Sequence, residues 1–134
     1  MRKSLVNNIY LPIKIITMSD IKLTIYDKIK IVLENKESLI LSRGTLIKEL
    51  KKKFEIIPES VLPSDFCYNT TNKKLKFNKH LFEHLSDGNY RYLGENYSYN
   101  GLIYHKRSGG EQELIGEWKD GKKTLYYTDE KNHF

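Results

Sequence analysis

Three groups of residues in this chain have the types and spacing to do chemistry. His80-Leu81-Phe82-Glu83-His84 matches H-x-x-E-H, in which two histidines on one helix face share a zinc ion and the glutamate acts as general base. His80 and His84 are thus the weak candidates for a metal. The segment is bounded by Asn78 and by Ser86-Asp87-Gly88, which leaves barely two helical turns, and a third ligand has to come from scattered carboxylates such as Glu111, Glu113 or Glu117. A short packing helix with Leu81, Phe82 and Leu85 inward explains the same residues, so no metal or other cofactor is expected. The single cysteine, Cys67, needs a base from His80, His84 or His105 to act as a nucleophile. Between Phe66 and Tyr68 it reads instead as a small buried hydrophobe, and no catalytic residue is assigned.

The third group is basic and polar, and it suits duplex DNA. Arg43, Lys48, Lys51, Lys52, Lys73, Lys74 and Lys76 are the expected phosphate anchors, which orient a duplex without reading it. Ser64, Asp65, Tyr68 and Asn69 are the expected base readers: an asparagine pairs with adenine and an acidic side chain accepts from cytosine N4. Arg91 is expected to follow a wing toward the minor groove. The plain alternative makes Phe66, Cys67 and Tyr68 core residues, with Asp65 and Asn69 as caps. Asp65 fits the DNA reading poorly, because a carboxylate near phosphates costs affinity. Tyr90, Tyr92, Tyr97, Tyr99 and Tyr104 form a dense cluster that suits either base stacking or one face of a sheet.

These residues must be positioned by a small number of elements. Ile25, Tyr26, Ile29, Val32 and Leu33 paint one apolar helix face, with Ser19 or Asp20 as the cap and an end near Asn35. Leu39–Leu41 reads as a short strand. Ser42 or Thr45 caps a second helix whose inner face is Leu46, Ile47, Leu50 and Phe54. Pro63 at a first helical position starts a short third helix to Thr70. From Tyr90 the chain reads as β, and Asp120-Gly121 between Ile115–Lys119 and Lys122–Tyr127 signals a two-residue hairpin. The order of these elements predicts an α+β fold: a winged helix-turn-helix-like core with N-terminal helices and a C-terminal antiparallel sheet. Residues 1–18 read as a basic arm or alternative-start extension, 19–128 as a single winged-helix-like domain, and 129–134 as a frayed tail.

PSDFCYN at Pro63–Asn69, KHLFE at Lys79–Glu83 and YRYLG at Tyr90–Gly94 resemble a small uncharacterised bacterial domain carrying a PSD-(F/Y)-CYN motif. That domain is similar in layout to winged helices and is found alone or beside restriction-type nucleases. The resemblance covers residues 39–118. It implies a nucleic-acid-associated role and carries no catalytic residues across.

Composition bounds the remaining classes. With 134 residues, 39% hydrophobic and 30% charged, the chain is of one-domain size with enough apolar content for an ordinary core. One cysteine excludes an internal disulfide and fits a reducing cytoplasm. No apolar run approaches the ~20 residues that span a bilayer, so no membrane partner is expected. The +6 net charge is confined to the first 55 residues, where 12 Lys and Arg face 6 Asp and Glu; the rest balances at 11 of each. The leading expectation is a small non-enzymatic DNA-binding protein, a regulator or the recognition module of a defence or restriction-type system. The alternative is a protein-interaction module, such as a phage- or mobile-element-encoded inhibitor of a nucleic-acid enzyme. A zinc hydrolase is the third. The oligomeric state is left open.

Overall fold

A computed structural model describes residues 22–72, 78–106 and 109–126. Helix α1 (Ile25–Val32) begins at Thr24 rather than at Ser19 or Asp20. The Thr24 hydroxyl accepts the Asp27 amide at 3.1 Å, and the Asp27 carboxylate accepts the Thr24 amide at 3.1 Å, closing a capping box. Asn35, in the left-handed region at φ 63°, turns the chain after the helix. Strand β1 (Ile40–Ser42) runs directly into α2 (Arg43–Lys51), where the Ser42 hydroxyl accepts the Thr45 amide at 3.2 Å, as expected for the cap. Tyr26, Ile29 and Leu33 of α1 and Leu46 and Leu50 of α2 are buried in one core with Leu41, Val61, Leu81, Phe82 and Tyr92.

Six further strands complete the described chain: β2 (Thr70–Thr71), β3 (Phe82–His84), β4 (Asn89–Tyr92), β5 (Gly101–Lys106), β6 (Gln112–Lys119) and β7 (Lys122–Leu125). One sheet has the order β1-β4-β3, antiparallel throughout. The other has the order β2-β5-β6-β7, with β2 parallel to β5 and the remaining pairs antiparallel. The β6–β7 turn is the one that Asp-Gly demands, with φ 50° at Asp120 and 80° at Gly121.

The two sheets are joined by the segment expected as the third helix. Pro63–Phe66 is a single 3-10 turn, and from Cys67 the chain is extended. The Leu81 amide donates to Phe66 O at 2.7 Å and the Tyr68 amide to Phe82 O at 2.8 Å, so the first half of the segment pairs with β3. The Tyr104 amide donates to Asn69 O at 3.0 Å, and Thr70 and Thr71 align with Tyr104 and His105, so the second half pairs with β5. One extended segment therefore serves both sheets and makes them a continuous curled layer. Part of the physical reason is compositional: Tyr68, Thr70 and Thr71 favour extended backbone over helix, and Pro63 supplies only a first turn. The fold is α+β, and among the described residues no α-helix lies between Pro63 and Thr70 where a recognition helix is expected.

Asn69 completes this seam with its side chain. Its amide nitrogen donates to His84 O at 2.9 Å and its amide oxygen accepts the His84 amide at 2.9 Å, a side-chain copy of strand pairing. Asn69→Ala leaves both His84 backbone groups without these partners in a half-buried place. Denaturant unfolding of that variant is expected to show a loss of about 1–3 kcal/mol; unchanged stability would remove Asn69 from the seam.

Candidate functional site

Where the seam meets the loop after β4, four rings converge. Tyr68 is 1% exposed and stacks on Tyr99, with centroids 5.2 Å apart and planes at 20°. Trp118 of β6 meets Tyr68 edge-on at 5.3 Å, and its indole N–H donates to Tyr68 O at 2.8 Å. His80 lies 5.1 Å from Tyr68 and perpendicular to Trp118 at 5.0 Å. The Tyr68 hydroxyl donates to Gly94 O at 2.6 Å and accepts the Tyr97 amide at 3.0 Å, which fixes the 94–97 backbone over the rings. The β6–β7 turn closes the far side: the Gly121 amide donates to Tyr99 O at 3.0 Å, and a Cβ on Gly121 would stand 3.2 Å from Ser98 Cα. At φ 80° and with that approach, glycine is required here.

These walls enclose an open cleft of about 390 Å³. Tyr68, His80 and Trp118 line its inner wall, and Tyr97, 45% exposed, stands at its mouth. Tyr26, Asn78, Lys79, Glu95, Asp120 and Lys123 are among its further lining residues. The Lys123 ammonium lies 5.6 Å from the Trp118 ring centre, and Lys30 and Lys79 lie 5.0 and 5.3 Å from that of Tyr26. Glu95 accepts the Tyr26 hydroxyl at 2.8 Å and the Lys30 ammonium at 3.2 Å; those two bonds hold its carboxyl below the usual range. Burial lowers the Lys123 ammonium from its ordinary value.

His80 is held as a neutral ring. Its Nδ1 lies 3.1 Å from Cys67 O, an acceptor, so Nδ1 carries the proton. Burial, aided by the Lys123 charge, pushes its pKa down to about 4. The Cys67 thiol is buried, lies 3.4 Å from Pro63 O, and is pushed well up by burial, which leaves it a packing group rather than a nucleophile.

The structure disperses the residues picked out in the sequence. H-x-x-E-H does not lie on a helix: His80 precedes β3, while Glu83 and His84 are in it. Glu83 accepts Arg91 at 2.6 Å and the Tyr99 hydroxyl at 2.9 Å, and His84 packs on Tyr90 at 5.2 Å. Among the described residues no three His, Cys, Asp or Glu side chains gather as a metal site. Arg43 donates to Val61 O and Pro58 O, both at 2.7 Å, and so clamps the loop after α2. Tyr68 and Asn69 are taken up in the ring cluster and the seam, while Ser64 and Asp65 stand half-exposed in the 3-10 turn. Lys48, Lys51 and Lys52 are exposed on α2 and just beyond it, with Lys52 bound to Glu49 at 2.9 Å. Lys73, Lys74 and Lys76 lie outside the described residues. The cleft itself escapes sequence reasoning, which finds the tyrosine cluster but has no means to bring Tyr68, His80 and Trp118 beside it.

A family described as "Domain of unknown function (DUF7225)" matches residues 24–125. The chain belongs to this family. The match takes in the seam, both sheets and every cleft residue named above, and agrees with the resemblance to an uncharacterised bacterial domain read over 39–118. A Bacillus subtilis (strain 168) protein, "Uncharacterized protein YnaC", is 46% identical over 104 residues, which is 77% of this chain and 40% of that relative. The DUF7225 chain thus spans less than half the length of that relative. No solved structure matches it. No helix among the described residues is long and apolar enough to cross a membrane.

His80 contributes a pH response to the stability of the DUF7225 domain. An unfolded histidine titrates near 6.5, whereas the buried ring stays neutral down to about 4. Between those values the unfolded chain binds the extra proton, so this contribution to stability is full above about pH 6.5 and is lost as the pH falls toward 4. His84, also depressed by burial and then by Lys106, acts in the same direction. His80→Gln is expected to reduce the slope of unfolding free energy against pH between 5 and 6 by about 1 kcal/mol per pH unit. An unaltered slope would show that His80 ionises alike in both states.

Proposed function

We propose that this DUF7225 domain is a non-enzymatic nucleic-acid-binding module, with duplex DNA as its leading partner and a regulator or a defence-system recognition element as its role. The observation that carries the reading is the run of exposed lysines at the C-terminal end of α2, Lys48, Lys51, Lys52 and Lys53, in the half of the chain that holds the whole +6 charge. Lysines there also face the negative end of the helix dipole, so their placement has a structural reason alongside the phosphate one. Arg43 and Arg91 contribute less to this surface than their charge suggests, because each already holds partners within the fold. The winged-helix version of the reading keeps α2 and takes the β6–β7 hairpin, with Lys119 and Lys122 exposed, as the wing. Its reading element is then a ribbon rather than a recognition helix.

A second reading has its own observation. Leu102, Leu114 and Tyr126 of the four-stranded sheet region are 42%, 41% and 47% exposed, a pattern that suits a protein partner. An inhibitor of a nucleic-acid enzyme would use that face rather than the lysines.

Fluorescence anisotropy with a pool of labelled duplexes across a salt series tests the first reading. Binding is expected to weaken steeply with salt, and the Lys51→Ala, Lys52→Ala, Lys53→Ala triple variant is expected to lower the log–log slope by about 0.9 for each phosphate contact removed. Absence of binding at low salt, or an unchanged slope, would overturn it.

A further inference from the structure

We propose that the cleft at Tyr68, Tyr97 and Trp118 is a nucleotide site, taking one flat heteroaromatic base against the aromatic wall and an anionic phosphate at the lysine rim. This rests on the nucleic-acid reading for its ligand class and moves base contact from Ser64–Asn69 to the cleft. Size, ring exposure, a pre-fixed backbone and charge carry it. At about 390 Å³ the cleft is at the small end of ligand pockets, a size for one nucleotide rather than a helix face or an oligomer. Tyr97 offers an exposed ring, while the rings behind it are already packed edge-on or stacked. An exposed aromatic beside a basic rim is the arrangement by which single strands are held.

The backbone that carries Tyr97 is fixed before any ligand arrives. Its amide is bound by the Tyr68 hydroxyl, and the next residues are pinned by Gly121. Little ordering entropy then remains to be lost on binding. The polar lining supplies the means to address a base edge, since Asn78, Asn96 and Ser98 all border the cleft.

Charge decides among the ligands an aromatic pocket can take. Lys79 and Lys123 line the cleft with Glu95 and Asp120, and Glu95 is paired from outside the lining by Lys30 and also takes the Tyr26 hydroxyl, so two ammonium groups face one carboxylate that lacks this pairing. A methylated ammonium would be repelled by Lys79 and Lys123 at the cleft. A neutral sugar gains hydrogen bonds from the lysines but no charge pairing. An anionic ligand with a planar ring uses both features.

Trp118 is the one tryptophan of the chain, so its emission reports on this cleft alone. The protein is titrated with AMP, with oligo(dT), with an abasic strand of equal length and with maltohexaose, each monitored by Trp118 emission and by calorimetry. Saturable binding of AMP or oligo(dT), absent for the abasic strand and the sugar, is the expected result. AMP alone points to a free nucleotide, and tighter oligo(dT) binding points to an unpaired base within a strand. Tyr97→Ala, at an exposed side chain, is expected to weaken binding about tenfold or more with an unchanged melting temperature, and Lys79→Ala to weaken it with a smaller salt dependence. The Lys51, Lys52, Lys53 triple variant should leave AMP binding intact while losing duplex affinity, which separates failure of this site from failure of the duplex reading. Equal binding of the abasic strand, saturation by maltohexaose, no binding of AMP or oligo(dT), or an unaffected Tyr97→Ala variant would overturn the proposal.

Discussion

The rest of this structure depends on how Tyr68 is buried. Its ring lies inside the curled layer, its backbone amide pairs with β3, its carbonyl accepts the Trp118 indole, and its hydroxyl links Gly94 to Tyr97. A buried phenol is costly unless both its donor and acceptor capacities are met, and here one hydroxyl meets both. That requirement fixes the distance between the seam and the 94–97 loop. The loop in turn fixes where Tyr99 stacks and where the Asp120-Gly121 turn docks. The cleft is the space these constraints leave between them.

The helical half of the molecule is legible in the sequence for a simple reason. Tyr26, Ile29 and Leu33, and Leu46 and Leu50, are helix-spaced apolar residues that bury against one sheet, so their pattern is local. The Asp-Gly hairpin is legible for the same reason, since a type I′ turn is dictated by two residues. The Pro63–Thr70 segment reads as helix because Pro63, Ser64 and Asp65 are good first-turn residues, and they do form a turn. The path of the chain beyond that turn is decided by distant partners, Leu81 and Phe82 on one side and Tyr104 on the other. Strand pairing at such separation leaves little trace in a single sequence. His80–Leu85 misleads in the same way: its length suits a short helix, but Phe82 to His84 align with Tyr92 to Tyr90.

The same non-local pairing explains why chemistry read from residue types alone is unreliable here. Asn69 has the chemistry of a base reader and serves as a strand partner; Arg43 has that of a phosphate anchor and clamps two carbonyls. Glu83, the general base of the H-x-x-E-H pattern, is held by Arg91 and Tyr99. Polar side chains half-buried in a small domain are recruited to satisfy backbone groups. Lys48, Lys51 and Lys52 and the Tyr97 ring, by contrast, stay exposed.

The most direct test of this account is amide hydrogen exchange on Tyr68→Phe, which removes one oxygen and leaves the ring. Protection at the Tyr97 amide should fall selectively, the Gly121 amide should lose protection too as the turn loosens, and global stability should drop by about 1–3 kcal/mol. Unchanged protection at Tyr97 with wild-type stability would mean that the Tyr68 hydroxyl does not hold the loop and that the cleft is organised by something else.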